Sequence, residues 1–260
     1  MPASLSNRQA TLEQWGIRHL GAPATRYLLT PFVRGIYGVL PAELSVAVAF
    51  PKLNIPPGFS LALWFIPKII SRIFNRQKSK MMAPRGGMHE LVDALTVRLR
   101  KNLGGRFQTG RKIEVFPDST NIVLAVPAGE ASKLLRAHDQ RLADELEKIS
   151  YAALTSVTVF ADEDAFAWIP DGVGMLMAPD TAATCYGILF NSSSFLGRVE
   201  SGNEQVSLTM MYPASVTDDQ IKDTIYKDLD LVFGFPKKYG ITVVSHRFER
   251  AIPKYDSQML

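Results

Sequence analysis

The sequence predicts an α+β protein: an antiparallel or mixed sheet with one covering helix, beside a helical subdomain suited to a membrane surface. Three observations predict it. The first half reads mostly as helical periodicity. After residue 150, five short runs rich in β-branched and aromatic residues follow one another, separated by Asp, Gly, Pro and Ser clusters. Between the last two runs, Thr217 to about Phe233 returns to helical spacing. A chain of 260 residues with 47% hydrophobic and 21% charged residues can bury a substantial core.

The elements follow in order. Thr11 suits the cap of a first helix. Ala24 to Val33 and Ala42 to Phe50 read as two more, separated by Gly35, Gly38 and Pro41. The pair Gly86-Gly87 opens a helix over Met88 to Leu103. Asn121 to Pro127 is a continuous apolar run with the look of a buried strand, and Ala128 to Ile149 reads as one or two helices. The strands are expected over Leu154 to Ala161, Gly172 to Ala178, Thr184 to Asn191, Gln205 to Tyr212 and Ile241 to Arg247, as a meander. Thr217 with Gln220 has capping-box spacing. The expected division is a helical part over 1–103, a connection over 104–149 and a sheet-based part over 150–260.

Charge is unevenly distributed. The net charge is +4, yet Leu44 to His89 holds seven basic residues and no acidic one. Lys68, Arg72 and Arg76 fall on one face of a helix, opposite Ile66, Ile69, Ile70, Ile73 and Phe74. With Trp64 and Phe65, that stretch suits docking on an anionic membrane surface; a solvated basic face is the other reading. No run reaches the ~18 apolar residues of a membrane span. With Cys185 alone, no internal disulfide can form, which suits a reducing, cytoplasmic setting.

Several chemistries find no support. The four histidines lack metal-ligand spacing. There is no P-loop and no Gly-x-Ser-x-Gly turn. No nucleic-acid-binding signature accompanies the basic stretch. No metal site and no catalytic residue is assigned.

Five stretches in order resemble the protoporphyrinogen oxidase family of amine-oxidase-like flavoenzymes. They are Thr30 to Gly38, continuing to Leu53; Arg85 to Leu95; Asn121 to Pro127; Gly187 to Phe195 with Arg198; and Phe248 to Tyr255, reading Phe-Glu-Arg-Ala-Ile-Pro-Lys-Tyr. The resemblance implies FAD as cofactor and oxidation of protoporphyrinogen to protoporphyrin in haem biosynthesis. It implies that Phe195 stacks on a pyrrole ring and Leu176 presses on the macrocycle, with Gly174 and Met175 beside it. By periodicity alone, Leu176 and Phe195 read as ordinary sheet residues. Arg34, Arg85 and Arg198 are candidates for a propionate, because guanidinium pairs with carboxylate in two-point contact.

The sequence departs from the family pattern in four places. It has no strand followed by Gly-x-Gly-x-x-Gly, the turn a dinucleotide pyrophosphate needs. Phe248 stands where the family usually has Trp, and no Gly-His pair follows Tyr255. The segment between Val115 and Asn121 is short for the family. The expectation is therefore a substrate- and membrane-binding portion whose FAD-binding part comes from other sequence or a partner domain. The alternatives are a flavin-free module for a tetrapyrrole or other lipophilic ligand, or a relic without activity.

Overall fold

The structure, a computed structural model, describes residues 10–53, 82–119, 121–195, 197–199, 205–235 and 240–259. The basic stretch with Trp64, Phe65, Lys68, Arg72 and Arg76 lies outside them. The chain forms two compact units: Met1–Arg85 with Tyr151–Leu260, and Gly86–Ser150.

The first unit is built on a five-stranded antiparallel sheet. Its strands are β1 (Tyr151–Asp162), β2 (Gly174–Leu176), β3 (Gly187–Phe190), β4 (Gln205–Pro213) and β5 (Thr242–Pro253), in spatial order β2-β3-β4-β1-β5. All five expected strands are present. Only β2, β3 and β4 form a meander, however; β1 inserts between β4 and β5.

Alternation along the strands gives the sheet two unlike faces. One face carries Val157, Val159, Ile188, Phe190, Leu208, Met210 and Tyr212, all buried. The covering helix over Asp218–Phe233 closes it with Ile221, Ile225, Leu229 and Phe233. Burial of each such side chain contributes about 1.5–3 kcal/mol. Helix propensities differ by less than about 1 kcal/mol per ordinary residue, so packing holds this helix in place. Thr217 has the extended backbone of a cap, but its side chain makes no cap hydrogen bond. Asp218 and Asp219 in the first turn supply the negative charge that a helix N-terminus favours.

Asp228 is buried on that helix. Its two carboxylate oxygens accept the Thr184 and Cys185 backbone N–H groups, each at 2.9 Å. Charge-assisted bonds of this kind contribute about 1.5–3 kcal/mol each. They fix the chain just before β3.

The N-terminal helices form a second core in the same unit. α1 (Leu12–Leu20) starts at a full capping box, Thr11 with Gln14. A continuous helical run follows: α2 (Ala22–Ala24), a π turn (Thr25–Leu29) and α3 (Thr30–Tyr37). It runs through Gly35, where the sequence suggested a break, and ends at Gly38, whose φ of 67° is left-handed. Of the helix expected over Ala42 to Phe50, only α4 (Val46–Ala49) and a 3-10 turn at Pro41–Glu43 form. Leu12, Trp15, Val33, Leu44 and Val46 pack together with Ala152 of β1. The C-terminal segment closes this core. Ser45 N–H donates to the Tyr255 carbonyl at 2.8 Å, and the Tyr255 ring meets Tyr37 edge-on at 5.6 Å.

The second unit holds α5 (Met88–Leu103), α6 (Ala128–Leu135) and α7 (Gln140–Glu147). Asn121 to Pro127, expected as a buried strand, is no strand, and Val123 is 92% exposed. A strand needs a neighbouring strand, and this segment is not one of the five in the sheet.

Burial first, and the nearby Asp228 carboxylate second, push both the Cys185 thiol and the Tyr212 phenol well above their ordinary values. A raised value favours the neutral form in the folded chain. The stability it contributes is complete below the ordinary thiol value of 9.0 and is lost as pH rises above it. We expect Cys185 to resist a thiol reagent at pH 8 in the folded chain and react on unfolding. We also expect the melting temperature to fall above pH 9, and Cys185→Ala to flatten part of that fall. Rapid labelling of the native chain at pH 8 would contradict this.

Candidate functional site

The second sheet face is open, and α3 lies over part of it. The pairing register places side chains on this face in rows. One row runs Leu176, Gly187, Met211, Ser156, His246; the next runs Gly174, Leu189, Thr209, Thr158, Val244. Leu176 and Phe248 are 46% and 47% exposed, so apolar surface here meets solvent.

Two glycines let α3 and β2 come close. A Cβ on Gly35 would lie 2.3 Å from Leu176 Cδ2, so the helix rests directly on that leucine. A Cβ on Gly187 would lie 3.1 Å from the same atom, so Leu176 leans across the bare strand position. At the other end of α3, Arg26 and Tyr27 of the π turn both bond Asp180, Tyr27 Oη at 2.7 Å. The Tyr27 hydroxyl first, and Arg26 next, hold the Asp180 carboxyl below its ordinary value.

Between α3 and the open face is a cavity of about 310 Å³. Arg34, Gly35 and Ile36 line it from the helix. Tyr186, Met211, Leu154, Ser156, Phe248, Ala251 and Ile252 line it from the sheet side. It crosses from the β3 side to β5, three strand spacings or about 14 Å. A bulge shapes the far end. Between the pairs Ala152–Ile252 and Leu154–Phe248, β1 advances two residues and β5 four. Such an irregularity re-aims side chains, and here Phe248, Ala251 and Ile252 all reach the cavity.

Charge enters at the near end. The Arg34 guanidinium lies 4.4 Å from the Tyr186 ring centroid, a cation–π contact that holds it at the rim. Among the described residues no carboxylate pairs with Arg34. The site thus combines an apolar slot with one available cation.

The residues singled out from the sequence separate here. Arg34 lines the cavity, and Gly174 and Leu176 lie on the open face beside it. Met175 points the opposite way, into the core beneath the sheet, because neighbouring strand residues alternate. Phe195 and Arg198 stack on each other at 5.4 Å, and neither lines the cavity. Arg85 does not line it either. Ser156, Tyr186, Met211 and Leu154 were missed; only cross-strand register brings them together.

The described glycine turns do not fit a dinucleotide pyrophosphate. Gly172 and Gly174 lead into β2 rather than a helix. At Gly86-Gly87, before α5, the Glu90 carboxylate already takes the Gly86 N–H at 3.0 Å. An anion in that place repels another.

Residues 2–259 match the family described as flavin containing amine oxidoreductase. A chloroplastic protoporphyrinogen oxidase of Nicotiana tabacum is 25% identical over 304 residues, covering 95% of this chain and 53% of that protein. A crystal structure from Exiguobacterium sp. 255-15, provisionally named a protoporphyrinogen oxidase, superposes with a TM-score of 0.71 at 14% identity. That match covers 98% of this chain and 59% of the other. A reduced UDP-galactopyranose mutase has a TM-score of 0.58 at 14% identity over 95% of this chain and 56% of its own. The chain spans about half the length of the curated relatives it matches.

A Cβ on Gly174 would lie 2.4 Å from the Ile188 carbonyl, an immovable backbone atom, whereas one on Gly172 meets nothing within 4 Å. We expect Gly174→Ala to cost about 1–3 kcal/mol in urea unfolding. Gly172→Ala should stay within about 0.5 kcal/mol. Equal stability of the two variants would contradict the close β2–β3 approach.

Proposed function

The chain belongs to the flavin containing amine oxidoreductase family, and on that premise we propose that it is the substrate-holding portion of a protoporphyrinogen-oxidase-like flavoprotein. One observation carries the reading: an apolar slot between α3 and the open sheet face, with a single cation, Arg34, at its rim. A tetrapyrrole has that complementary chemistry, a flat apolar body with carboxylates at one edge. At about 310 Å³ the slot is at the lower end for ligand pockets, so it takes one side of such a macrocycle. Leu154, Met211, Phe248 and Ile252 supply apolar contact, and Arg34 pairs with a propionate.

Because the described residues offer no pyrophosphate cradle, FAD is assigned to a dinucleotide-binding partner segment or chain. The filled Gly86 position also favours a second reading, a tetrapyrrole-binding module that works without flavin.

Protoporphyrin fluorescence and absorption test the slot. We expect the wild type to bind protoporphyrin. Arg34→Ala should weaken binding severalfold, and Ser156→Trp, which fills the slot, tenfold or more. Unchanged affinity in both variants would overturn the site. A flavin band retained after incubation with FAD and desalting would overturn the assignment of FAD to a partner.

We also propose peripheral membrane attachment through residues 59–80. No described helix is long and apolar enough to cross a membrane. The support is the acid-free sequence from Leu44 to His89. Reversing Lys68, Arg72 and Arg76 to Glu should abolish sedimentation with anionic vesicles at low salt. Equal sedimentation of the wild type and the variant would remove the proposal.

A further inference from the structure

We propose that Ser156 makes the slot sensitive to the redox state of its ligand. Its hydroxyl accepts a hydrogen bond from a pyrrole N–H that only the reduced tetrapyrrole turns toward the sheet. This rests on reading the slot as a tetrapyrrole site and names the residue that sets its specificity.

Ser156 stands on the slot floor. Its strand, β1, is inside the sheet, with β4 on one side and β5 on the other. In the row across the open face it lies between Met211 of β4 and His246 of β5. It is half-buried and lines the cavity. Two strand spacings, about 9–10 Å, separate β1 from β3, next to which Tyr186 holds Arg34. A propionate arm and the pyrrole ring that carries it cover a distance of that order. One ligand can thus meet Arg34 and set a ring over Ser156.

The hydroxyls of this face are not alike. In the neighbouring row, Thr158 Oγ1 is 3.2 Å from Thr209 Oγ1, which accepts the Asn191 side-chain N–H at 2.8 Å. Asn191 donates to Ser207 Oγ as well, at 3.2 Å. Those groups satisfy one another. Among the described residues no hydrogen bond engages the Ser156 hydroxyl. The lining around it is apolar, from Leu154, Met211 and Phe248. A hydroxyl in such a place gains from a ligand donor, whereas an apolar cover leaves it unsatisfied.

The ligand supplies the contrast. In the reduced macrocycle every pyrrole nitrogen carries a hydrogen, and the saturated bridges let each ring turn its N–H out of the mean plane. In the oxidised macrocycle half of those hydrogens are gone. The rest lie in the plane and point at its centre. A group beneath the plane accepts from the first form and not from the second. The reduced form keeps the Ser156 hydroxyl paired; the oxidised form covers it unpaired, which weakens the hold on that form.

The test uses the whole chain with two probes, protoporphyrin and protoporphyrinogen prepared by chemical reduction and kept free of oxygen. Equilibrium dialysis reads both, because the reduced probe can be oxidised afterwards and measured as protoporphyrin. Ser156→Ala should bind protoporphyrinogen about threefold to tenfold more weakly than the wild type. It should hold protoporphyrin within about twofold, or more tightly, which also reports an intact slot. Ser156→Thr keeps a hydroxyl and should keep the wild-type ratio of the two affinities. An equal loss for both probes in Ser156→Ala would make Ser156 a packing residue, and no loss for either would leave its hydroxyl unused. Each of those results overturns the inference alone. Failure of the wild type to bind either probe would overturn the slot itself, and the inference with it.

Discussion

The two-residue repeat of side chains along β1 and β4 is the constraint on which the rest of this protein depends. Residues of odd number on β1 and even number on β4 meet the covering helix and build the main core. Their neighbours are thereby committed to the other face, where Ser156, Thr158, Thr209 and Met211 form the floor of an open surface. A slip of one residue in this pairing would exchange the faces, burying Ser156 and Thr158 while exposing Val157 and Val159. The loss of several buried aliphatic side chains makes that slip prohibitive. Core and slot are therefore two sides of one register.

What turns the open face into a slot is α3, and small residues hold it there. Gly35 allows the helix to touch Leu176, and Gly187 lets Leu176 lie flat. Gly38 ends the helix where it meets Leu154 and Ala152. The ends are tied by polar contacts: Arg26 and Tyr27 to Asp180 at one end, and Glu43 to Lys254 at 2.9 Å near the other. Burial raises the Glu43 carboxyl, but the Leu40 N–H and the Lys254 ammonium together outweigh it and hold the group below its ordinary value. These exposed pairs contribute little stability individually. Their effect is positional, since they orient the helix that carries Arg34.

The asymmetry of the slot gives it chemical meaning. Most of its lining is apolar, and its charge is Arg34, held against the Tyr186 ring. This arrangement suits a large flat ligand that carries charge at its edge. Among the described lining residues there is no carboxylate. The family relationship concerns a flavin chemistry whose dinucleotide site the described glycines do not build.

The sequence by itself determined the α+β class, all five strands and the covering helix, because period-two and period-3.6 patterns are local. It named Arg34 through guanidinium chemistry and Leu176 through a family resemblance, and the structure places the first on the cavity and the second beside it. It did not reveal that Met175 faces inward, or that Phe195 and Arg198 stack on each other away from the cavity. Nor did it reveal that Asn121 to Pro127 is not a strand. The tertiary structure decided which strand lies beside which, where the β5 bulge falls, and hence that Tyr186, Met211, Ser156 and Phe248 share one wall. Pairs of those residues are 25 to 92 positions apart in the chain. Local pattern carries each residue's face but not its neighbour, and a binding wall is made of neighbours.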